Sequence, residues 1–263
     1  MATRDEILNE LGLGPRWRLR TPVVSVAAAV VPESAAMSDT AVPERQPQPG
    51  RGTQHAAAAA APPAARDTDP RVIRIATLDW PALISDIDGC TACGLARTRH
   101  KTVPGVGDVN ADLLFIGEAP GADEDAQGEP FVGQAGRLLD SMLAAIGLAR
   151  GNNVYIANVL KCRPPANRTP EPTEVESCKP YLDRQIDLIR PKLIVALGKS
   201  AAVTLLGTDS SIASLRGRLH RYRGIPLLVT YHPAYLLRNL PDKAKSWEDL
   251  LLARRTVRAA AEG

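Results

Sequence analysis

Four short apolar runs constrain this chain more than any other feature, at residues 113–116, 154–159, 193–197 and 226–231. Each is too short for a buried helix. Each is continuous rather than alternating, which is the pattern of a strand covered on both faces. Between them lie helical periodicities. Residues 134–149 carry apolar side chains at 138, 139, 142, 143 and 146, the spacing of one helix face, and residues 172–189 repeat the pattern. Strands alternating with helices imply an α/β fold with a parallel sheet between two helical layers. No period of 20–50 residues recurs, which excludes a solenoid. Ligands of such sheets bind outside the carboxyl ends of the strands. Those ends are chemically rich here. The first run leads into Gly117-Glu118-Ala119-Pro120-Gly121, the second into Asn158 and Cys162, the third into Gly198-Lys199-Ser200, and the fourth into His232-Pro233. Polar groups far apart in the chain are therefore expected to converge on one crevice.

The rest of the chain sets the limits of that domain. Of 263 residues, 44% are apolar but only 4% are Phe, Trp or Tyr, so the core must be built from Leu, Val, Ile and Ala. From Arg18 to Asp79 there is no aromatic residue, nine of the 22 prolines fall in the first 70 positions, and HAAAAAAPPAA begins at His55. Such a stretch buries too little apolar surface to offset its ordering entropy, so residues 21–75 are expected to be a disordered linker. Residues 1–20 read as a short helix around Ile7, Leu8 and Leu11, stopped by Gly14-Pro15 and followed by Trp17 among Arg16, Arg18 and Arg20. This segment is either a frayed terminus or a docking peptide for a protein partner or DNA. The folded domain is placed at 76–263. The net charge of +3 permits nucleic acid as a partner only through local patches. No run of 18 apolar residues exists, and no charged stretch followed by an apolar core opens the chain, so neither a membrane nor a secretory route is expected and the cytoplasm is. A monomer is expected.

Disulfides are not expected there, which leaves four cysteines to explain. Cys90-x2-Cys93 is followed by 68 residues, Cys162, 15 residues and Cys178, with no fifth cysteine. Four thiolates suit a structural zinc ion or a 4Fe–4S cluster. The wide second pair favours the cluster, and unligated core cysteines are the remaining alternative.

GEAPGADEDAQGEPFVGQAGRLLD from Gly117 resembles the first motif of family 4 uracil-DNA glycosylases, the iron–sulfur type. CTACGLARTR at Cys90, NVLKCRPPANRTPEPTEVESC from Asn158 and HPAYLLRN from His232 resemble that family in the same order, over about residues 78–255. The resemblance implies a three-layer α/β/α sandwich with a four-stranded parallel sheet. It implies a structural 4Fe–4S cluster on Cys90, Cys93, Cys162 and Cys178. It implies uracil-containing DNA, single- or double-stranded, as substrate, with the flipped-out base cleaved from its sugar.

The resemblance also assigns roles. The reaction leaves a uracil anion and an oxocarbenium-like sugar, and both charges need stabilising. Neutral His232 would donate a hydrogen bond to uracil O2. The Asn158 amide, donor and acceptor at once, would read the base edge and reject cytosine. Glu118 would orient water and the base, and Phe131 would stack on the extruded ring. Ala119, Gly121, Glu124 and Asn167 would complete the base site. At Ala119 the best-known uracil glycosylases hold a water-activating Asp, so which group positions water here is open. Tyr235, Leu236, Leu237 and Arg238 would enter the minor groove as a wedge. Lys199, Ser200 and the arginines at 216, 218, 221 and 223 would meet phosphates. Plain structural roles stand beside these: a turn histidine, a strand-end cap, core packing for Phe131, a surface helix start and a solvated charged face. No GxGxxG or Walker motif occurs, so no nucleotide cofactor is expected. A broader deaminated-base glycosylase acting on xanthine or hypoxanthine is one rival. A non-catalytic iron–sulfur DNA-binding module is another, and Glu118, Asn158 and His232 argue against it. A variant that traps DNA covalently through a histidine is disfavoured, because residues 163–177 contain no His.

Overall fold

Strand formation follows the continuous apolar runs. In the computed structural model, which describes residues 69–262, they form β2 (Leu113–Gly117), β3 (Val154–Asn158), β4 (Leu193–Leu197) and β6 (Ile225–Thr230). The first three are buried at every position. The four pair in parallel in the order β3-β2-β4-β6. Side chains alternate across this sheet. Leu114, Ile116, Ala157, Ile194, Ala196 and Val229 face one core, with Leu182 and Ile186 of α5 (Pro172–Ile189) and Ala201 and Leu205 of α6 (Lys199–Leu206). Leu113, Phe115, Ile156, Val195, Leu197 and Leu228 face the other, with Leu139 and Leu143 of α4 (Gln134–Ala145) and Leu250 and Ala253 of α9 (Lys243–Glu262). This is the expected α/β/α sandwich.

The sheet has six strands, not four. β1 (Val106–Gly107) and β5 (Leu219–Tyr222) add antiparallel edges to β3 and β6. β1 is two residues long, and β5 is an edge strand, largely exposed and polar, so neither produces an apolar run. The helix expected over 134–149 stops at Ala145, because Gly147 turns the chain at φ 78°.

The amino-terminal boundary also moves. The segment 1–20 and most of the expected linker lie outside the described residues. The linker's last stretch does not, and it is helical. Asp69 accepts the Arg71 N–H at 2.8 Å and caps α1 (Pro70–Thr77), and Asp79 accepts the Ala82 N–H at 3.0 Å and caps α2 (Trp80–Asp88). Ile75, Leu83 and Ile87 bury against Tyr181 of α5. The Ala/Pro-rich stretch before it hid a capped helix whose single buried side chain, Ile75, packs with nearby Leu83 and Ile87 and with Tyr181, more than a hundred residues away. Among the described residues no helix is long and apolar enough to cross a membrane.

Candidate active site and cysteine centre

The carboxyl ends of the parallel strands open into a cleft of about 570 Å³, within the range of roughly 300–1,000 Å³ usual for small-ligand sites. Glu118, Ala119, Gly121, Glu124, Phe131, Asn158, Asn167, His232, Tyr235 and Arg238 all line it. The crevice expected from sequence is therefore present, lined from the ends of β2, β3 and β6, whereas Gly198, Lys199, Ser200 and Cys162 do not line it.

Asn158 ends β3 and is 2% exposed, yet its Oδ1 has no hydrogen-bond partner among the described residues. A buried orphan acceptor costs free energy unless a ligand satisfies it. Gly117 beside it tolerates no side chain, since a Cβ would lie 2.3 Å from Asn158 Oδ1 and 2.7 Å from the Phe131 ring. The Phe131 ring and the Asn158 amide oxygen thus lie on the same side of Gly117, close to one another. His232 caps α8 (Pro233–Leu236), and its Nδ1 accepts the Ala234 N–H at 3.1 Å. Its ring lies 5.5 Å from that of Phe131, tilted by 30°. Burial, reinforced by the positive charge of Arg238 and opposed by Glu124, pulls the imidazole pKa down to about 4.

Phe131 sits at φ 57°, a costly backbone for a residue with a side chain, and its surroundings impose it. Arg150 donates to the carbonyls of Pro130 at 2.7 Å and Phe131 at 2.9 Å while pairing with Asp140 at 3.0 Å. Gly136 packs so tightly that a Cβ would lie 1.7 Å from the Phe131 oxygen. Glu124, expected at the base, spends its carboxylate on the backbone. It accepts the N–H groups of Gly121 (3.0 Å), Val132 (3.0 Å) and Gly133 (3.3 Å), drawing both ends of the loop together. Asn167, on the exposed rim, accepts Arg163 Nε at 2.7 Å. Glu118 is half-buried, and its carboxyl pKa is raised by that burial and opposed by a hydrogen bond from Ser200.

Several expected DNA contacts are placed differently. Leu236 is 1% exposed and faces Leu138 and Met142 of α4, whereas Leu237 is 39% exposed. Successive helical residues point about 100° apart, so one turn sends one leucine inward and its neighbour outward. Leu236 is core, which leaves only Leu237 and Arg238 of the expected wedge exposed next to it. Tyr235 stacks on Tyr231 at 5.1 Å and donates to Asp242 at 2.6 Å. Ser200 turns toward Glu118 rather than outward, while Lys199 is exposed. Arg216 is paired with Asp249 at 3.1 Å, Arg223 with Asp187 at 3.0 Å, and Arg221 donates to the Gly224 carbonyl at 2.8 Å. Of the alternating arginines, these three are committed within the chain.

Cys90, Cys93, Cys162 and Cys178 line one cavity whose wall contains no carboxylate and no imidazole. Arg99 donates to Cys162 Sγ at 3.1 Å, the Lys161 backbone N–H to Cys178 Sγ at 3.2 Å, and Arg71 to Cys90 Sγ at 3.7 Å. Burial pushes the Cys178 thiol up to about 12, against the pull of Lys161. An all-sulfur donor set ringed by N–H donors and cations fits an anionic iron–sulfur cluster. No group of three or more His, Cys, Asp or Glu side chains among the described residues is gathered as a ligand set for a single metal ion. Sequence reasoning missed Lys161 and Arg150. The only signal for Lys161 was a lysine inside the apolar stretch before Cys162, and Arg150 had none.

The profile of the uracil DNA glycosylase superfamily matches residues 104–251. A type-4 uracil-DNA glycosylase of Archaeoglobus fulgidus is 47% identical over 163 residues, 59% of this chain and 81% of the relative. The type-4 enzymes of Sulfurisphaera tokodaii and Pyrobaculum aerophilum are 46% and 40% identical, covering 62% and 66% of this chain and 78% and 93% of their own lengths. The chain belongs to the uracil DNA glycosylase superfamily and, within it, to the type-4 uracil-DNA glycosylases.

Proposed function

We propose that this protein excises uracil from DNA by hydrolysing its N-glycosidic bond, leaving an abasic site for base excision repair. The observation that carries this reading is the unpartnered, buried Oδ1 of Asn158, beside Phe131 and His232 in one cleft. Uracil offers an N3–H donor flanked by carbonyl acceptors. Asn158 Oδ1 accepts that proton, and the amide N–H donates to the neighbouring carbonyl. Cytosine has an acceptor at N3 and an amine beside it, so it would leave both groups of the amide opposed by like groups. Phe131 stacks on the extruded base.

As the bond to the sugar breaks, its electron pair moves onto the base, and negative charge grows on O2. His232 meets that oxygen through Nε2–H. Its Nδ1 is occupied by the Ala234 N–H, so a neutral ring carries its proton on Nε2. The sugar becomes an oxocarbenium ion, and water adds to it and passes its proton to the Glu118 carboxylate. Glu118, half-buried and close to where the sugar would lie at the end of β2, holds that water, with Ser200 orienting the carboxylate. Glu124 acts through the backbone it gathers, not through the base.

The four cysteines hold a 4Fe–4S cluster, which when bound supplies a cross-link among distant segments of the chain. Leu237 and Arg238 fill the gap that the extruded base leaves in the duplex. Oligonucleotides carrying U, T, hypoxanthine or xanthine, followed by alkaline cleavage at abasic sites, test the reading. Uracil-selective cleavage supports it. Equal cleavage at hypoxanthine and uracil would replace it with a broader deaminated-base glycosylase, and no cleavage at all would leave the DNA-binding module.

A further inference from the structure

The active site and the cysteine centre meet at one residue that neither motif explains. Lys161 is 1% exposed, among the largest fully buried side chains of the described residues. Its Nζ donates to the main-chain oxygen of Asn158 at 2.7 Å. Its backbone N–H donates to Cys178 Sγ at 3.2 Å, its carbonyl accepts the Val103 N–H at 2.8 Å, and its side chain lines the cysteine cavity. Among the described residues no carboxylate lies within ion-pair distance of it. A buried ammonium without a counter-charge is costly, and the sulfurs of Cys162 and Cys178 are the groups placed to supply one. The chain has therefore kept a cation in its interior at the point where the strand bearing Asn158 runs into Cys162.

We propose that Lys161 is a positioning residue for base recognition: it ties the main chain of Asn158 to the cysteine centre, so that the centre sets the direction in which the Asn158 amide meets uracil. This rests on the reading of Asn158 as the group that recognises the base. Lys161 itself does not line the cleft. It acts on the carbonyl of Asn158, which shares its Cα with the amide side chain, so a hydrogen bond that pins the carbonyl restrains the Cα from which the amide projects. Recognition needs the amide held to within a few tenths of an ångström, and a loose support costs rate without costing DNA affinity.

The test is a cycle of Lys161→Met, Asn158→Ala and the double variant in the full-length, iron-loaded protein. Single-turnover excision, binding of abasic DNA, inhibition by free uracil, iron content and melting temperature are measured together. Excision by the wild type and its loss in Asn158→Ala test the parent reading separately. Lys161→Met is expected to keep about four irons. It should lose roughly tenfold or more in rate and in free-uracil affinity, with abasic-DNA binding unchanged. In the Asn158→Ala background it should slow excision by less than about twofold, because both changes act through one amide. Multiplicative losses, a wild-type rate for Lys161→Met, or a rate that simply follows iron content would each overturn the proposal. Should Lys161→Met not fold, Lys161→Arg, which keeps a cationic donor, and Lys161→Gln, which does not, carry the same cycle. Recovery of rate and uracil affinity by Arg but not by Gln is expected, and equal behaviour of the two overturns it.

Discussion

The Nδ1 atom of His232 accepts the backbone N–H of Ala234 at 3.1 Å, and this one contact decides which ring nitrogen is left to donate into the cleft. A neutral imidazole with Nδ1 acting as acceptor must carry its proton on Nε2. On the proposed mechanism, removing that donor would deprive the departing uracil anion of its partner, and removing the Asn158 amide would deprive the base of its reader. His232→Ala and Asn158→Ala are each expected to lower the single-turnover rate by roughly 10²-fold or more, with a smaller effect on uracil-DNA affinity. Rates within a few-fold of wild type in either variant would remove the role assigned to it.

The titration of the site has a defined direction. The His232 pKa is lowered from 6.5 to about 4 by burial, so the folded protein binds this proton less readily than the unfolded chain. Its contribution to stability is present above pH 6.5 and declines as pH falls toward about 4. The rate should therefore show no inflection near 6.5 from this residue. The Glu118 carboxyl is raised above its ordinary 4.5 by burial, so the acid limb of the pH–rate profile should lie above that value. Glu118→Gln should flatten the limb. An acid limb unchanged in that variant would take water positioning away from Glu118.

Iron and folding should be lost together. The purified protein is expected to be brown, with about four irons per chain. On the proposed cluster, replacing Cys178 by Ala would remove a ligand from a buried centre, where binding energy is folding energy. A stability loss of about 3 kcal/mol would lower the melting temperature by roughly 6–12 °C in a domain of this size. One zinc per chain in an anaerobic preparation would exclude the cluster.

Leu236 and Leu237 should respond oppositely to the same substitution. Leu236→Ala opens a cavity in the core, at a cost of about 2–5 kcal/mol, and should reduce activity equally on every substrate once folding is accounted for. Leu237→Ala should leave melting nearly unchanged. It should slow excision from a U·A pair more than from a U·G mismatch, and least from single strands, because unstacking costs least there. Equal losses on all three substrates would remove the wedge while leaving the glycosylase reading intact.

Truncation locates the start of the domain. Removing residues 1–68 should preserve folding, iron and activity on short oligonucleotides. Removing residues 1–78 deletes α1 and the buried Ile75, and should lower the melting temperature measurably. A loss of iron or of folding on the shorter truncation would refute this.

The sequence by itself determined the parallel strands, because a strand covered on both faces must be apolar at every position. Leu113–Gly117, Val154–Asn158 and Leu193–Leu197 could be read within a residue of their limits. It also determined that Glu118, Asn158 and His232 meet, because the carboxyl ends of parallel strands share one edge of the sheet. Only the tertiary structure decided which leucine of the Leu236-Leu237 pair is buried, since local sequence does not show which side of a one-turn helix faces α4. It likewise turned Ser200 inward, anchored the strained Phe131 turn through Arg150, and set Lys161 between Asn158 and the cysteines. The contacts of Ser200 with Glu118, of Arg150 with the Pro130 and Phe131 carbonyls and of Lys161 with Cys178 join residues 17 to 82 positions apart, and no hydrophobic period or short motif encodes which distant partner a polar side chain will find once two layers close on a sheet.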